Sequence, residues 1–416
     1  MNKMGFNIGV VGAGQFSRCF IPLFQMHPFA GEVSLAELIP ERLKKVSEKF
    51  GIKKTFSSLD EMLKDPTIDA VAIFTQRHLH GPQVVQALKA GKHVYSAVPM
   101  AQSEEEIDMI LTEVKRTGLM YMCGETSFYY PSTVICRDRF NSGVMGDFLY
   151  GEAQYYHDMM HGFYDAYRYS GGEDWTKFAG IPPMHYPTHS MSMVLSVTGA
   201  HATSVSCLGY KDRHMDGIFQ KGKNLWDNPF SNETALLRTS DGGIMRSNEY
   251  RRIGFGGKNC VYMSMYGTTG SFEENAGGAF WTSLKWGDVE NLTEQMDCYD
   301  AYDMDEEVRS EALHYDFHGK LAKAHHGYRL PEVYFSLNNG HFGSHQFLVD
   351  DFMKALKVNK LPPNHAWRSA EFVLPGLIAH QSALRDGETM AVPKIEDVPK
   401  NWELLNPDSF VAYRFE

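Results

Sequence analysis

The chain has 416 residues, of which 43% are hydrophobic and 22% charged, a globular composition that excludes a mainly disordered protein. Forty basic and fifty-one acidic residues give a formal charge of -11, and no basic run with interleaved aromatic residues indicates nucleic acid as a partner. The length predicts two domains of ordinary size.

The start of the sequence and its apolar runs predict a cytoplasmic protein without a membrane partner. The first apolar strand begins near Phe6, which leaves no room for a secretion signal, and no apolar run approaches the roughly 20 residues of a membrane span. The six cysteines include no C-x-x-C pair, so neither a zinc knuckle nor a redox dithiol is predicted.

Short apolar runs alternate with helical patterns between Met4 and Gly124. This alternation predicts an α/β domain of the Rossmann type over residues 1–124, with a parallel sheet and helices on both faces. The predicted strands cover residues 7–11, 33–38, 70–74, 93–96 and 119–123. The predicted helices begin after Gln15 and cover residues 42–50, 82–90 and 104–117.

A glycine-rich loop joins the first predicted strand to the first predicted helix. It reads Gly12-Ala13-Gly14-Gln15-Phe16-Ser17, where two glycines let the backbone approach a pyrophosphate at the helix N-terminus. Glu37 ends the second strand, and a carboxylate there can accept a hydrogen bond from a ribose 2′-hydroxyl. The motif predicts NAD as the cofactor, in preference to NADP, with Gly12, Gly14, Gln15, Phe16 and Glu37 binding it.

After Gly124 longer β-like stretches separated by Gly, Asn and Asp turns predict an α+β domain over residues 125–416. Its sheet is predicted to be large, open and mostly antiparallel, with C-terminal helices that pack back toward the first domain. The acidic run at Asp303 and residues 305–307 is interpreted as a solvated loop. The predicted strands cover residues 148–157, 202–210, 234–239, 243–250, 261–266 and 279–284, and the predicted helices cover 188–197, 344–357 and 370–385.

Two further segments carry a resemblance to a known family. Thr75-Gln76-Arg77-His78-Leu79-His80 and Ala90-Gly91-Lys92-His93-Val94 resemble the segments around the fourth and fifth strands of the Gfo/Idh/MocA family of sugar-related oxidoreductases. The resemblance implies NAD contacts from Thr75, Arg77, His80 and Pro99. It also implies a small-molecule sugar or glycoside substrate and a homo-oligomer, a dimer or tetramer, formed through the open sheet.

The sequence departs from that family at two places. Most members have Glu-Lys-Pro after the fifth strand, but this chain has Ala97-Val98-Pro99-Met100, so the usual lysine is absent. Where the family has Asp-x-x-x-His, this chain has His185-Tyr186-Pro187-Thr188-His189. This string resembles the NAD-dependent glycosidases related to α-N-acetylgalactosaminidase. Five polar positions match that subgroup: Glu125, Tyr155, His157, Tyr186 and His189.

The resemblance implies a reaction in which the sugar is oxidised at C3, the leaving group is eliminated across C1 and C2, water adds, and the hydride returns. His189 is the candidate base for the hydroxyl proton, because histidine accepts protons near neutral pH. Tyr155, oriented by His157, is the candidate base for the C2 proton. Tyr186 and Glu125 would position hydroxyls or shuttle protons, and His185 falls on the family's Asp.

Several alternatives remain open from the sequence. The net reaction can instead be simple oxidation to a keto sugar, or the chain can be a non-catalytic NAD-binding sensor. His185 and His189 at i and i+4, with Glu125, have the spacing of a metal site, although Pro187 interrupts the helix and no metal is predicted. His341 and His345 are interpreted as structural or as a substrate wall. Three tryptophans are candidates for stacking on sugar rings: Trp175, Trp226 and Trp281.

Overall fold

The fold is given by a computed structural model, which describes residues 5–256, 259–298 and 319–408. The acidic run at Asp303 and residues 305–307, predicted as a loop, lies outside these described residues.

The first part of the chain forms a six-stranded sheet. Its strands are β1 (Phe6–Val11), β2 (Ala30–Ala36), β3 (Thr55–Phe56), β4 (Ala70–Ile73), β5 (His93–Ser96) and β6 (Tyr121–Cys123). They lie in the order β3-β2-β1-β4-β5-β6 and all pairs are parallel, which confirms the predicted α/β domain. The helices are α1 (Gln15–Met26), α2 (Pro40–Phe50), α3 (Leu59–Leu63), α4 (His80–Lys89) and α5 (Glu104–Thr117).

Helix α5 shows how the sequence sets these helix ends. The Ser103 hydroxyl accepts a hydrogen bond from the Glu106 backbone N–H at 3.1 Å, and acidic residues fill the first turn. Lys115 and Arg116 lie in the last turn, where positive charge is favoured by the helix dipole. Gly118 ends the helix at φ +69°, a left-handed conformation that favours glycine.

The second part of the chain forms a nine-stranded sheet. Its strands are β7 (Phe148–Tyr156), β8 (Ala202–Lys211), β9 (Phe230–Thr239), β10 (Ile244–Tyr250), β11 (Val261–Gly267), β12 (Gly270–Asn275), β13 (Gly278–Ser283), β14 (Val289–Asn291) and β15 (Met390–Ala391). The order is β14-β13-β12-β11-β7-β10-β9-β8-β15, and β7 with β10 is the parallel pair among otherwise antiparallel neighbours. The predicted mostly antiparallel sheet is thereby confirmed.

Some strands are missing from the sequence prediction because they are short or weakly apolar. β3 and β15 have two residues, β14 has three, and the single bulky apolar side chain of β12 is Phe272. The helices of this part are α6 (Pro131–Asn141), α7 (Tyr164–Gly171), α8 (Trp175–Ala179), α9 (Thr188–Thr198), α10 (His345–Val358) and α11 (Ala366–Leu384).

The C-terminal helices pack on the first sheet domain. The ring of His345 at the start of α10 lies 4.3 Å from the ring of Phe20 in α1. Tyr334, which precedes α10, donates its hydroxyl to the Leu23 carbonyl at 2.9 Å. His365, just before α11, forms a β-bridge with Met122 of β6. These contacts join the C-terminal segments to the first domain, and a cleft lies between the two sheets.

Glu274 on β12 is a buried acid, and within the described residues no Lys, Arg or His forms an ion pair with it. Its carboxylate accepts the Met263 backbone N–H at 3.3 Å, and its side chain faces inward while Glu273 is exposed. Burial raises the pKa of Glu274 from 4.5 to about 8, although hydrogen bonds from Met263 and Ser132 act to lower it. The folded protein therefore binds a proton here that the unfolded chain releases.

This proton makes the free energy of unfolding pH-dependent. Between pH 4.5 and about 8 the folded state holds more protons at Glu274 than the unfolded state, so stability falls as pH rises. We expect Glu274→Gln to stabilise the fold at alkaline pH by on the order of 2 kcal/mol. Urea unfolding under mildly acidic and alkaline conditions measures this, with the exposed Glu273→Gln as matched control. An equal gain at both pH values would contradict the assignment.

Candidate functional site

A cleft of about 400 Å³ lies between the two sheets, at the carboxyl ends of β1, β2 and β4. Open parallel sheets bind ligands at this edge. The walls of the cleft come from the glycine loop, the segment between β4 and α4, the end of β7, residues 163–170 and the start of α9.

The glycine loop has the backbone that a nucleotide needs. Gly12 has φ +94°, and a Cβ there would lie 2.8 Å from the Phe74 carbonyl oxygen, so no side chain fits. A Cβ at Gly14 would meet no protein atom within 4 Å, because this position opens toward the cleft. Ser17, buried in place of the third glycine, donates its hydroxyl to the Gly14 carbonyl at 3.0 Å. Gln15 and Phe16 line the cleft at the helix N-terminus.

Glu37 lies at the end of β2 as the sequence predicts. One carboxylate oxygen accepts the Ala13 backbone N–H at 2.9 Å, and the other accepts the Ile39 N–H at 3.0 Å. Arg42 approaches the same carboxylate at 3.9 Å. The carboxylate is thus fixed on the cleft wall with lone pairs that fit the hydroxyls of a ribose. These residues fit NAD.

The segment after β4 is held by His80. Its Nδ1 lies 2.9 Å from the Pro99 carbonyl oxygen and its Nε2 lies 3.1 Å from the Thr75 carbonyl oxygen. Burial lowers the pKa of His80 to about 4, so the ring is neutral and donates through one nitrogen at a time. Thr75 and His80 line the cleft, whereas Pro99 lies behind His80. The Pro99 carbonyl therefore affects the cleft indirectly, by holding the His80 ring in position.

His189 lies on the cleft wall and forms a buried pair with Glu125 behind it. The Nδ1 atom of His189 lies 2.7 Å from Glu125 Oε1, which also accepts the Ser127 backbone N–H at 2.8 Å. Burial alone would raise the pKa of Glu125, but the charge and hydrogen bond of His189 outweigh it and the pKa is lowered. The carboxylate holds the Nδ1–H tautomer, which leaves the Nε2 lone pair to accept a proton.

Two tyrosines surround His189. Its ring lies 5.0 Å from that of Tyr155 and 5.3 Å from that of Tyr186, and all three line the cleft. Burial raises the pKa of Tyr186 to about 12, with the nearby Arg77 acting in the opposite direction, so Tyr186 stays protonated at neutral pH. His157 also lines the cleft and meets Tyr155 edge to face at 5.3 Å.

His185 is placed away from this group. It ends a short 3₁₀ turn (Pro183–His185), and Tyr186 has non-helical angles, so the i, i+4 relation to His189 does not hold. Its ring lies 5.0 Å from that of His380, and it is absent from the cleft wall. Burial lowers its pKa well below the usual value, with His380 adding to the effect. Among the residues described, no three His, Cys, Asp or Glu side chains assemble for a metal.

A charged pair behind Tyr155 is not predicted by any sequence motif. The guanidinium carbon of Arg251 lies 4.7 Å from the Tyr155 ring centroid, and Arg251 Nη2 lies 2.9 Å from Glu249 Oε2. Ser190, next to His189 on α9, donates its hydroxyl to the other Glu249 oxygen at 2.6 Å. Burial raises the pKa of Glu249 to about 7 against the opposing effect of Arg251. This pair links the Tyr155 strand to the His189 helix.

Residues 159–171, which we name the crossing segment, pass from β7 over the cleft to the first domain. Arg42 Nη2 donates to the Tyr169 carbonyl at 2.9 Å, and Gln76 Nε2 donates to the Ser170 carbonyl at 2.7 Å. Arg18 Nη2 lies 2.9 Å from the Tyr169 hydroxyl.

The three candidate tryptophans and the histidines His341 and His345 differ in whether they line the cleft. Trp226 lines the cleft near His78, whose ring stacks on Phe178 at 4.8 Å. Trp175 packs on Tyr164, and Trp281 lies under Arg139, away from the cleft. His341 lines the cleft beside Phe16, at 5.2 Å between rings, and His345 lies behind it.

Comparison with known proteins places these observations in a family. The Gfo/Idh/MocA oxidoreductase family, with its NAD-binding Rossmann fold, matches residues 6–125. Mouse trans-1,2-dihydrobenzene-1,2-diol dehydrogenase is 28% identical over 160 residues, 38% of this chain and 48% of that protein. The scyllo-inositol 2-dehydrogenase (NAD(+)) of Bacillus subtilis is 27% identical over 190 residues, 43% of this chain and 49% of that protein. The matches thus span about half the length of these relatives.

Solved structures match over a longer range. Levoglucosan dehydrogenase in complex with NADH and levoglucosan has a TM-score of 0.71 at 17% identity, covering 94% of this chain and 100% of that one. This likeness concerns the fold. In the described residues, no helix is long and apolar enough to cross a membrane. With the glycine loop, these matches identify the first domain of this chain as an NAD-binding Rossmann domain similar to that of the Gfo/Idh/MocA oxidoreductase family.

Proposed function

We propose that this protein is an NAD-dependent enzyme that removes a hydride from a ring carbon of a sugar or glycoside. The observation that carries the proposal is the 2.7 Å contact between His189 Nδ1 and Glu125 Oε1 beside a cleft that fits NAD. A carboxylate that orients a histidine leaves the opposite ring nitrogen as a base. Dehydrogenase names among the relatives support the same reaction class.

His189 takes the first proton in this proposal. Its Nε2 accepts the proton of the sugar hydroxyl while the hydrogen on the same carbon leaves as hydride. Glu125 stabilises the resulting imidazolium from the Nδ1 side, since it is buried and its pKa is lowered. Bound NAD would supply the hydride acceptor and, in a later step, the hydride donor.

We further propose that the net reaction is redox-neutral cleavage of a glycoside. A ketone next to C2 acidifies the C2 proton, which Tyr155 would remove beside His157. Tyr186 is the candidate donor to the leaving oxygen, because its pKa of about 12 keeps it protonated. Water then adds at C1, the proton returns to C2, and the hydride returns to the ketone, so that atoms and electrons balance.

The crossing segment supports cleavage over net oxidation. Tyr169 and Ser170 line the cleft, and their carbonyls accept hydrogen bonds from Arg42 and Gln76 of the first domain. An enzyme that returns its hydride has no need to exchange cofactor, whereas a net dehydrogenase must release NADH in every cycle. Hydrogen bonds that tie this segment to the nucleotide end of the cleft therefore favour a retained NAD.

The test is a panel of 4-nitrophenyl glycosides and free sugars, with and without added NAD, followed by absorbance and mass. We expect the protein to carry NAD through purification and to release 4-nitrophenol without net NADH. Stoichiometric NADH with an intact keto sugar would instead establish a dehydrogenase, the second candidate, which the names of the relatives favour. Bound NAD with no turnover of any compound would favour a non-catalytic sensor.

We also propose that the protein is a homo-oligomer. The face of the nine-stranded sheet that points away from α9 carries exposed apolar side chains on adjacent strands, including Leu208, Tyr210, Leu236 and Ile244. Such a face is suited to association with a second copy. Light scattering of the purified protein measures the state, and a monomer would contradict the proposal.

A further inference from the structure

Arg77 lies on the cleft wall, and three aromatic rings surround its guanidinium group. Its guanidinium carbon lies 4.8 Å from the ring centroid of Tyr186, 5.1 Å from that of Tyr167 and 5.5 Å from that of Phe163. An arginine guanidinium keeps its charge in proteins, and that of Arg77 also forms a side-chain hydrogen bond with Tyr186. Ring faces attract a cation without neutralising it.

Arg42 on the cleft wall and Arg251 behind Tyr155 each have a carboxylate partner. Arg42 lies 3.9 Å from Glu37 and Arg251 lies 2.9 Å from Glu249. Over the described ranges, no Asp or Glu forms an ion pair with Arg77. A half-buried cation loses hydration energy that an anion can restore. Arg77 therefore leaves an excess of positive charge on the wall.

The sequence resemblance implies an NAD contact from Arg77, but the aromatic neighbours of its guanidinium lie on the side of His189. Phe163 and Tyr167 belong to the crossing segment, and Tyr186 lies within 5.3 Å of the His189 ring. The pyrophosphate of NAD has its own groups in the glycine loop and the N-terminus of α1. The charge is thus close to the base that would act on the sugar.

We propose that Arg77 binds an anionic group of the substrate and that this substrate is a sugar or glycoside carrying a carboxylate, of the uronic acid class. This rests on the proposed function and names its substrate. A planar guanidinium matches the two oxygens of a carboxylate. A phosphate dianion would need further donors, and Arg77 is the one charged side chain of the described cleft wall that lacks an ionic partner.

The experiment uses the protein with its NAD bound and measures binding and turnover separately. Calorimetry compares glucuronate, galacturonate and mannuronate with the matched neutral sugars and with glucose 6-phosphate. Turnover compares 4-nitrophenyl uronides with the matched neutral glycosides. The variants are Arg77→Gln and the charge-conserving Arg77→Lys, with Arg42→Gln as a matched control at the nucleotide end.

We expect the wild type to favour one uronate over its neutral partner by roughly 100-fold in affinity or kcat/KM. Arg77→Gln should abolish this ratio and Arg77→Lys should keep part of it, while Arg42→Gln weakens NADH binding and leaves the ratio intact. Equal binding of acidic and neutral sugars, preference for the phosphate, or no uronate bound at all would overturn the assignment. An equal loss of NADH affinity in Arg77→Gln would also overturn it.

The two proposals fail in different ways. If a uronate binds through Arg77 but neither it nor its glycoside is turned over, the anion site is supported and the proposed function is refuted. Turnover of neutral glycosides with no acidic preference would retain the function and refute the role of Arg77.

Discussion

His189→Ala is expected to lower kcat/KM for the substrate identified in the glycoside panel by about 10³-fold, as loss of a general base does. Because Nδ1 is bound to Glu125 at 2.7 Å, the Nε2 atom is the group that accepts the hydroxyl proton. Steady-state kinetics with the NAD-loaded variant measure the loss. Cofactor content should stay at the wild-type level, since the nucleotide end of the cleft is unchanged.

The chain offers a matched control for this variant. His380 Nδ1 also lies 2.7 Å from a buried carboxylate, that of Glu233, but His380 is not on the cleft wall. His380→Ala removes a buried histidine of the same kind, so any loss of folding stability should be similar while kcat is kept. Equal losses of turnover in the two variants would show that His189 acts through the fold and not as a base.

Gly14→Ala is expected to remove bound NAD while leaving the fold stable. A Cβ at Gly14 meets no protein atom within 4 Å and the residue has no left-handed strain, so the protein itself tolerates alanine. The same Cβ projects into the cleft where the pyrophosphate must approach the backbone. We expect NADH affinity to fall by at least about 30-fold, or about 2 kcal/mol.

NADH fluorescence titration and thermal unfolding measure these two effects separately. Gly254→Ala is the control, because Gly254 also has open space around it and lies off the cleft wall. Undiminished NADH affinity in Gly14→Ala would contradict the placement of the nucleotide on the glycine loop.

The nucleotide half of the site was predictable from sequence because its signals are local. Gly12, Gly14 and Glu37 fall at fixed offsets from strands that the apolar pattern reveals, and the structure places them together on the cleft wall. Five of the six strands of the parallel sheet followed from the same alternation, and the two-residue strand β3 did not. Local backbone chemistry thus specifies this half almost completely.

The substrate half depends on contacts between distant residues. Glu125 and His189 are 64 positions apart, so only a family resemblance could pair them. Arg251 and Glu249 carry no motif, and their role became visible once β7 and β10 lay side by side. The i, i+4 spacing indicates that His185 and His189 share one helix face. They do not, because α9 begins at Thr188, after the turn that holds His185.

The most direct test of the central claim is transfer of a ring hydrogen to the cofactor. The NAD-loaded protein is mixed with a glycoside deuterated at every ring carbon, quenched within one turnover, and the released cofactor is weighed by mass spectrometry. The account predicts that the wild-type protein yields NADH carrying one deuterium and that His189→Ala yields no deuterated NADH in the same time. Cleavage or binding of the glycoside without deuterium in the cofactor at any time would contradict it.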